Sequence, residues 1–179
     1  MTNFYTSDNH FDHKNIIRYC NRPFASVEEM NEEMIKRWNA VVSDDDDVYH
    51  LGDFAMGKTH PSNFLRRLKG RKHFIPGNHD SEQTKGLKEW ESVSPYMEVR
   101  EAGKFIVLCH YKFEVFNKSH YGALNFYGHS HGTLPGNNQQ IDVGVDCWDY
   151  TPVTLDQILA RMKTLKPWKT VDHHKSREM

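Results

Sequence analysis

Short runs of β-branched and aromatic residues, each ending in a polar cluster, set the rhythm of this chain. Phe4-Tyr5-Thr6 runs into Ser7-Asp8-Asn9-His10, and Val48-Tyr49-His50-Leu51 into Gly52-Asp53. His73-Phe74-Ile75 precedes Pro76-Gly77-Asn78-His79-Asp80. Phe105-Ile106-Val107-Leu108 precedes Cys109-His110, and Leu124-Asn125-Phe126-Tyr127 precedes Gly128-His129-Ser130-His131. Their composition and their bounding Gly and Pro predict a strand at each. Elsewhere the apolar spacing turns helical. Ser26 and Glu29 make a capping box before Val27, Met30, Met34, Trp38 and Val41. Pro61 opens a helix through Phe64, Leu65 and Leu68 that Gly70 stops. Thr154 and Gln157 cap a last helix through Leu155, Ile158, Leu159 and Met162, closed by Pro167. Early strands alternating with helices predict parallel pairing, and the closer strands of 92–143 admit antiparallel pairs. The expectation is one domain of the α/β (α+β) class over residues 1–165, its helices outside a sheet core, with a polar tail at 166–179.

In open α/β sheets ligands bind beyond the carboxyl ends of the strands, which is where the polar clusters fall. Asp8 and His10 are two residues apart, as are His129 and His131. On an extended segment, period-two geometry would turn both members of each pair to one side. Asp53, Asn78 and His110 add a donor each. Two carboxylates, a carboxamide and four imidazoles are too many for one tetrahedral zinc, and the absence of thiolates argues against iron–sulfur. The set suits two divalent ions sharing a carboxylate, with a bridging hydroxide leaving the site near one positive charge, fit for a phosphate anion. His79, beside Asn78, would be aimed past the metals as general acid.

Composition sharpens this. There are 12 histidines against 23 lysines and arginines, and the net charge of −1 gives no basic field for duplex nucleic acid. No apolar run approaches a membrane span. The opening MTNFYTSDNHFDH lacks the layout of a signal peptide, and three scattered cysteines without a CxxC read as reduced thiols. Both lead to the expectation of a cytoplasmic protein.

The ordered series Asp-x-His, Gly-Asp, Gly-Asn-His-Asp, His and Gly-His-x-His, from Asp8 to His131, resembles the calcineurin-like metallophosphoesterase superfamily. The stretch Phe4 to Phe24, His110-Tyr111 and the run Gly144-Val145-Asp146-Cys147-Trp148-Asp149-Tyr150 resemble its small uncapped branch in bacteria and phages. The resemblance implies a two-sheet β-sandwich flanked by helices, a four-layer αββα arrangement. It implies Asp8, His10, Asp53 and His131 on one metal and Asp53, Asn78, His110 and His129 on the other, with Asp53 bridging and His79 as general acid. Two features separate this chain from serine/threonine protein phosphatases: Gly52-Asp53 continues into Phe54-Ala55, and Asp80 follows His79.

The resulting expectation is a dinuclear phosphoesterase, preferentially a phosphodiesterase acting on a small or nucleotide-type diester or cyclic phosphate. Mn²⁺ is favoured, with Fe, Zn²⁺ or Ni²⁺ acceptable, and the protein is a monomer or small homo-oligomer. The alternatives are a phosphomonoesterase on nucleotides or sugar phosphates and a non-catalytic metal-binding module. Asp80, His13, Lys112 and Trp148 are candidates to support the ligands or wall the pocket, His13 serving equally as a helix cap. His50 reads as a buried, hydrogen-bonded residue. His60, His73, His120, His173 and His174 read as solvent-facing, and Asp44 to Asp47 as a solvated turn.

Overall fold

Period-two alternation sorts the strand side chains onto two faces, and two sheets result. The computed structural model describes residues 1–168. One sheet holds β1 (Asn3–Thr6), β2 (Asp47–His50), β3 (Arg71–Phe74), β4 (Trp90–Val93) and β9 (Val153–Thr154), in the order β4-β3-β2-β1-β9. Its strands are parallel except β9, which runs against β1. The other sheet holds β5 (Met97–Glu101), β6 (Lys104–Leu108), β7 (Leu124–Tyr127) and β8 (Gln140–Asp142) in sequence order, with only β5–β6 antiparallel.

Tyr5, Leu51 and Ile75 face Ile106, Leu108, Leu124 and Phe126 between the sheets. Phe4, Val48 and Phe74 point outward into a second core with Met30, Met34 and Trp38. Those last three lie on α2 (Val27–Val41), whose apolar stripe is therefore core. The remaining helices are α1 (Lys14–Tyr19), α3 (Ser62–Leu65), α4 (Glu82–Lys85) and α5 (Leu155–Met162). The far face of the second sheet buries Val107, Phe116 and Ala123 beneath the segment 113–123, which includes a short 3-10 helix at Ser119–Tyr121. The order of layers is αββα.

Local signals explain most boundaries. Thr154 and Gln157 form a complete capping box on α5. At α2, Ser26 accepts from the Glu29 amide, whereas the Glu29 carboxylate turns to the Ala25 N–H, so the box is half-built. The helix expected from Pro61 to Leu68 holds α-geometry only over α3, and its continuation closes with tighter bonds from Arg67 to Phe64 and Leu68 to Leu65. The carboxylates of 44–47 are not all solvated. Asp46 is buried and accepts from the amides of Ser43 and Thr2, while Asp47 starts β2 and pairs with Arg71. His73 is likewise not solvent-facing, because it stacks on Tyr49 and bonds Ser92 and Asp47. In the tail, Trp168 stacks on Phe116 and donates its amide to Asn138. Residues 169–179, with His173 and His174, lie outside the described residues. No helix among the described residues is long and apolar enough to cross a membrane.

His50 is fully buried beneath the sheet ends. The Gly52 amide donates to its Nδ1 at 3.2 Å, so its Nε2–H donates to Asn9 Oδ1 at 2.8 Å. Burial pushes its pKa down to about 3. Below the ordinary imidazole value near 6.5 the unfolded chain takes a proton that the folded chain refuses, so this contribution to stability is lost as pH falls. Urea unfolding at about pH 6.5 and about pH 5 should show stability dropping, and His50→Gln should flatten the drop by about 1.4 kcal/mol per pH unit. An unchanged slope in the variant would mean that His50 is charged within the fold.

Candidate functional site

The carboxyl ends of β1, β2, β3, β6 and β7 deliver their polar clusters to one place, where the two sheets meet. The route differs from the expected pleat. β1 ends at Thr6 and β7 at Tyr127, and Asp8, His10, His129 and His131 have left-handed backbones with φ of 59°, 51°, 66° and 46°. Asp53 joins them at φ 54°. Non-glycine residues adopt this region at a cost of order 1 kcal/mol or more each, and such strain gathers at working sites. The pairs are thus aimed by turns, and His129 and His131 face different partners.

Asp8, His10 and His131 form one donor group and Asp53, His110 and His129 another, each with its ligand atoms within 4.8 Å of one another. Asp53 lies between them: its Oδ2 is 3.5 Å from His10 Nε2 and 3.5 Å from His110 Nε2. Asn78 Oδ1 is 3.2 Å from His110 Nε2. Glycine permits this crowding. A Cβ on Gly52, itself at φ +94°, would lie 2.5 Å from the Gly77 amide nitrogen, and one on Gly77 would strike Asp53 Oδ1.

Hydrogen bonds decide which ring nitrogens are free. His110 Nδ1 donates to the Leu51 carbonyl at 2.6 Å, which leaves Nε2 as a lone pair facing Asn78 Oδ1 and Asp53 Oδ2. His131 Nδ1 donates to Asp146 at 2.7 Å, turning Nε2 toward the other group. His10 Nε2 is buried without a hydrogen-bond partner, and burial holds this imidazole neutral. Lone pairs converging in a buried site repel one another unless a cation lies between them. An imidazole whose second nitrogen is tied to a carbonyl or carboxylate is the usual metal-ligand arrangement. The electrostatics agree. Burial pushes Asp8 up to about 8. At His131 burial opposes charge, but hydrogen bonds to Asp146 and Cys20 and the Asp8 carboxylate prevail and raise it to about 10. The site is one that gathers positive charge, and its donors fit divalent cations.

Of the four residues anticipated as supports, Asp80 and His13 lie at the site, while Lys112 and Trp148 do not. Asp80 accepts from the amides of Asp53, Phe54 and Gly77 at 2.7, 2.9 and 2.8 Å, buckling two motif turns together. His13 precedes α1, but its side chain makes no capping bond and lies 3.4 Å from His10 Nδ1. Lys112 reaches the Pro135 carbonyl, and Trp148 donates to the Asp142 carbonyl; neither lines the cavity at the histidines. His79 does line it, exposed, with its amide donated to Asp53 Oδ1 at 2.9 Å. Asp142 accepts from Ser130, Gly132 and Gly144, fixing the loop that carries His129 and His131. Sequence reading missed Arg22. Its buried guanidinium forks onto Asp146 with two bonds of 2.8 Å and donates to the carbonyls of Asn9 and Asp8 at 2.9 and 2.7 Å. It thereby orients His131 through Asp146 and braces the Asp8 turn. The only signal was its place in the quoted stretch 4–24, since a lone arginine has no periodicity.

Arg22→Lys keeps the charge but loses the fork. Calorimetric titration of the metal-stripped variant with Mn²⁺ should show affinity at the Asp8–His10–His131 group reduced about 10- to 100-fold, with binding at the Asp53–His110–His129 group retained. Equal loss at both would make Arg22 a general structural residue.

No protein-family model matches the chain. The uncharacterized protein MJ1445 of Methanocaldococcus jannaschii is 35% identical over 181 residues, spanning 93% of this chain and 94% of its own. The Gene 66 protein of Mycobacterium phage L5 is 28% identical over 180 residues, spanning 81% and 86%. Among solved structures, AQ665 from Aquifex aeolicus, a protein of unknown function, matches at a TM-score of 0.69 and 25% identity, covering 88% of this chain and 97% of that one. With that identity to MJ1445 along nearly the full length of both proteins, the chain belongs to the same family as MJ1445.

Proposed function

We propose that this protein is a phosphoester hydrolase dependent on divalent metal, acting on a small-molecule phosphodiester. The observation that carries the reading is the pair of donor groups joined by Asp53, whose free lone pairs point inward at the floor of an open cavity. Asp8, His10, Asp53 and His131 would hold one ion, and Asp53, Asn78, His110 and His129 a second. Mixed nitrogen and oxygen donors without thiolate suit Mn²⁺, with Fe, Zn²⁺ and Ni²⁺ as competitors. Bound there, divalent cations would supply Lewis acidity toward a phosphoryl group and toward water.

The chain's own residues account for the rest. Two carboxylates against two divalent charges leave a positive floor that draws in a phosphate ester. Asp53 is held by the His79 amide, His110 by the Leu51 carbonyl and His131 by the Asp146 carboxylate, so little reorganisation accompanies the reaction. His79 stands at the rim, tethered through its amide to Asp53, with its ring 5.6 Å from that of His10. From there its imidazolium can hand a proton to the departing ester oxygen. The resemblance of the ordered motifs to calcineurin-like metallophosphoesterases supports the same assignment.

Metal-stripped protein should be inert toward bis(p-nitrophenyl) phosphate and toward p-nitrophenyl phosphate, and added Mn²⁺ should restore cleavage, faster for the diester. His79→Ala should keep its metal while losing turnover by about 100-fold or more. A preference for the monoester would make this a phosphomonoesterase. Absence of cleavage with metal bound would leave a metal-binding module. Undiminished turnover in the variant would remove His79 from the chemistry.

A further inference from the structure

The cavity above the donor groups encloses ≈ 600 Å³, within the range of pockets that bury a whole small ligand and far more than a phosphoryl group fills. Its walls are chemically unlike. Asp53 is its one carboxylate, set among the imidazoles on one side. α1 and the loop after β2 also line the cavity, with Asn15, Ile16, Tyr19 and Met56. Asn15 and Tyr19, four residues apart, share a helix face, while buried Ile16 seats the helix. Tyr19 is 62% exposed and Met56 42% exposed, so two large apolar side chains border the cavity uncovered. The Arg18 guanidinium lies 5.3 Å from the centre of the Tyr19 ring and the His13 ring 6.3 Å from it.

An aromatic face and a polarizable thioether beside an anion-binding floor suit a flat, polarizable group attached to the phosphoester. The Asn15 amide offers both a donor and an acceptor beside that face, which a hydrogen-bonding heterocycle uses and a plain hydrocarbon ring does not. We propose that α1 and Met56 form a nucleobase subsite, so that the substrate is a nucleotide-type phosphodiester with its base stacked on Tyr19. The proposal rests on the phosphoester reading above and adds the identity of the ester's non-reacting group.

Three diesters with the same p-nitrophenolate leaving group isolate that group: the ethyl, phenyl and thymidine 5′ esters of p-nitrophenyl phosphate, assayed with Mn²⁺. The thymidine ester should exceed the ethyl ester about tenfold or more in kcat/KM, mostly through KM, with the phenyl ester between. Tyr19→Ala should bring the thymidine-to-ethyl ratio near unity and Tyr19→Phe should restore it. A thymidine ester no better than the ethyl ester, an equal gain from phenyl, or a ratio indifferent to Tyr19→Ala would each overturn the subsite. If none of the esters is cleaved, the phosphoester reading fails. Equilibrium binding then decides the subsite. AMP should bind about tenfold more tightly than inorganic phosphate to the Mn²⁺-loaded protein but not to Tyr19→Ala, and equal affinities would overturn the proposal.

Discussion

Buried carboxylates that accept backbone N–H groups hold this protein's strand ends together. Asp8 at the end of β1 takes the His129 amide after β7 at 2.9 and 3.1 Å. Asp53 after β2 takes the His79 amide after β3, and Asp80 returns the bond by taking those of Asp53 and Phe54. Asp142 at the end of β8 takes Gly132 and Gly144. Amides of these turns that the ladders leave unpaired are taken by carboxylates of the same or a neighbouring turn, or by backbone carbonyls such as those of Gly52 and Asp53. An unpaired buried amide costs about 1–3 kcal/mol, so these bonds help hold Asp53 and His129 in their left-handed conformations. Asp53 belongs to both, since its Oδ1 takes the His79 amide while its Oδ2 faces His10 and His110 at the cavity, so fold and candidate site share this residue.

The strands with strong β composition were legible because burial on both faces demanded it. Runs such as Phe105 to Leu108 supply side chains to two different cores in alternation. β4, β5, β8 and β9 were not: β4 and β5 interleave charged, exposed residues such as Glu91, Glu98 and Arg100, and β8 and β9 are short and take their places through pairing. β9 is two residues laid against β1. The helix after Pro61 read longer than it is, since the apolar positions 64, 65 and 68 fit a tight 3-10 turn as well as an α-helix.

The candidate donors were named from their order along the chain, and the extended geometry offered for their convergence is not the one found. Extended geometry would have sent His129 and His131 to one side, whereas turns at φ 66° and 46° divide them between two groups. Turn conformation depends on partners distant in sequence, here Asp8 and Asp142, and no local pattern encodes it. Arg22 escaped for the same reason. Its value lies in meeting Asp146, 124 positions away, and the carbonyl of Asp8. Trp148 and Lys112, adjacent to motif residues, were drawn toward the pocket by proximity in sequence, but the backbone carries both side chains elsewhere.

The donors belong to both sheets. Asp8, His10, Asp53 and Asn78 follow strands of the first, while His110, His129 and His131 follow strands of the second. Among the described residues, the contacts between the sheets away from the donor end are apolar apart from the hydrogen bond from Tyr5 to Glu101. Apolar packing resists separation but specifies register weakly, and the polar end supplies the register. Cations gathered there would bind residues of both sheets at once, and binding to the folded chain alone adds to its stability by mass action. The repulsion among Asp8, Asp53 and the facing lone pairs then has a structural meaning. It is tolerated because the carboxylate–amide bonds over-determine the loops, and relieving it would draw the two halves of the sandwich into their tightest contact at the point where chemistry is proposed.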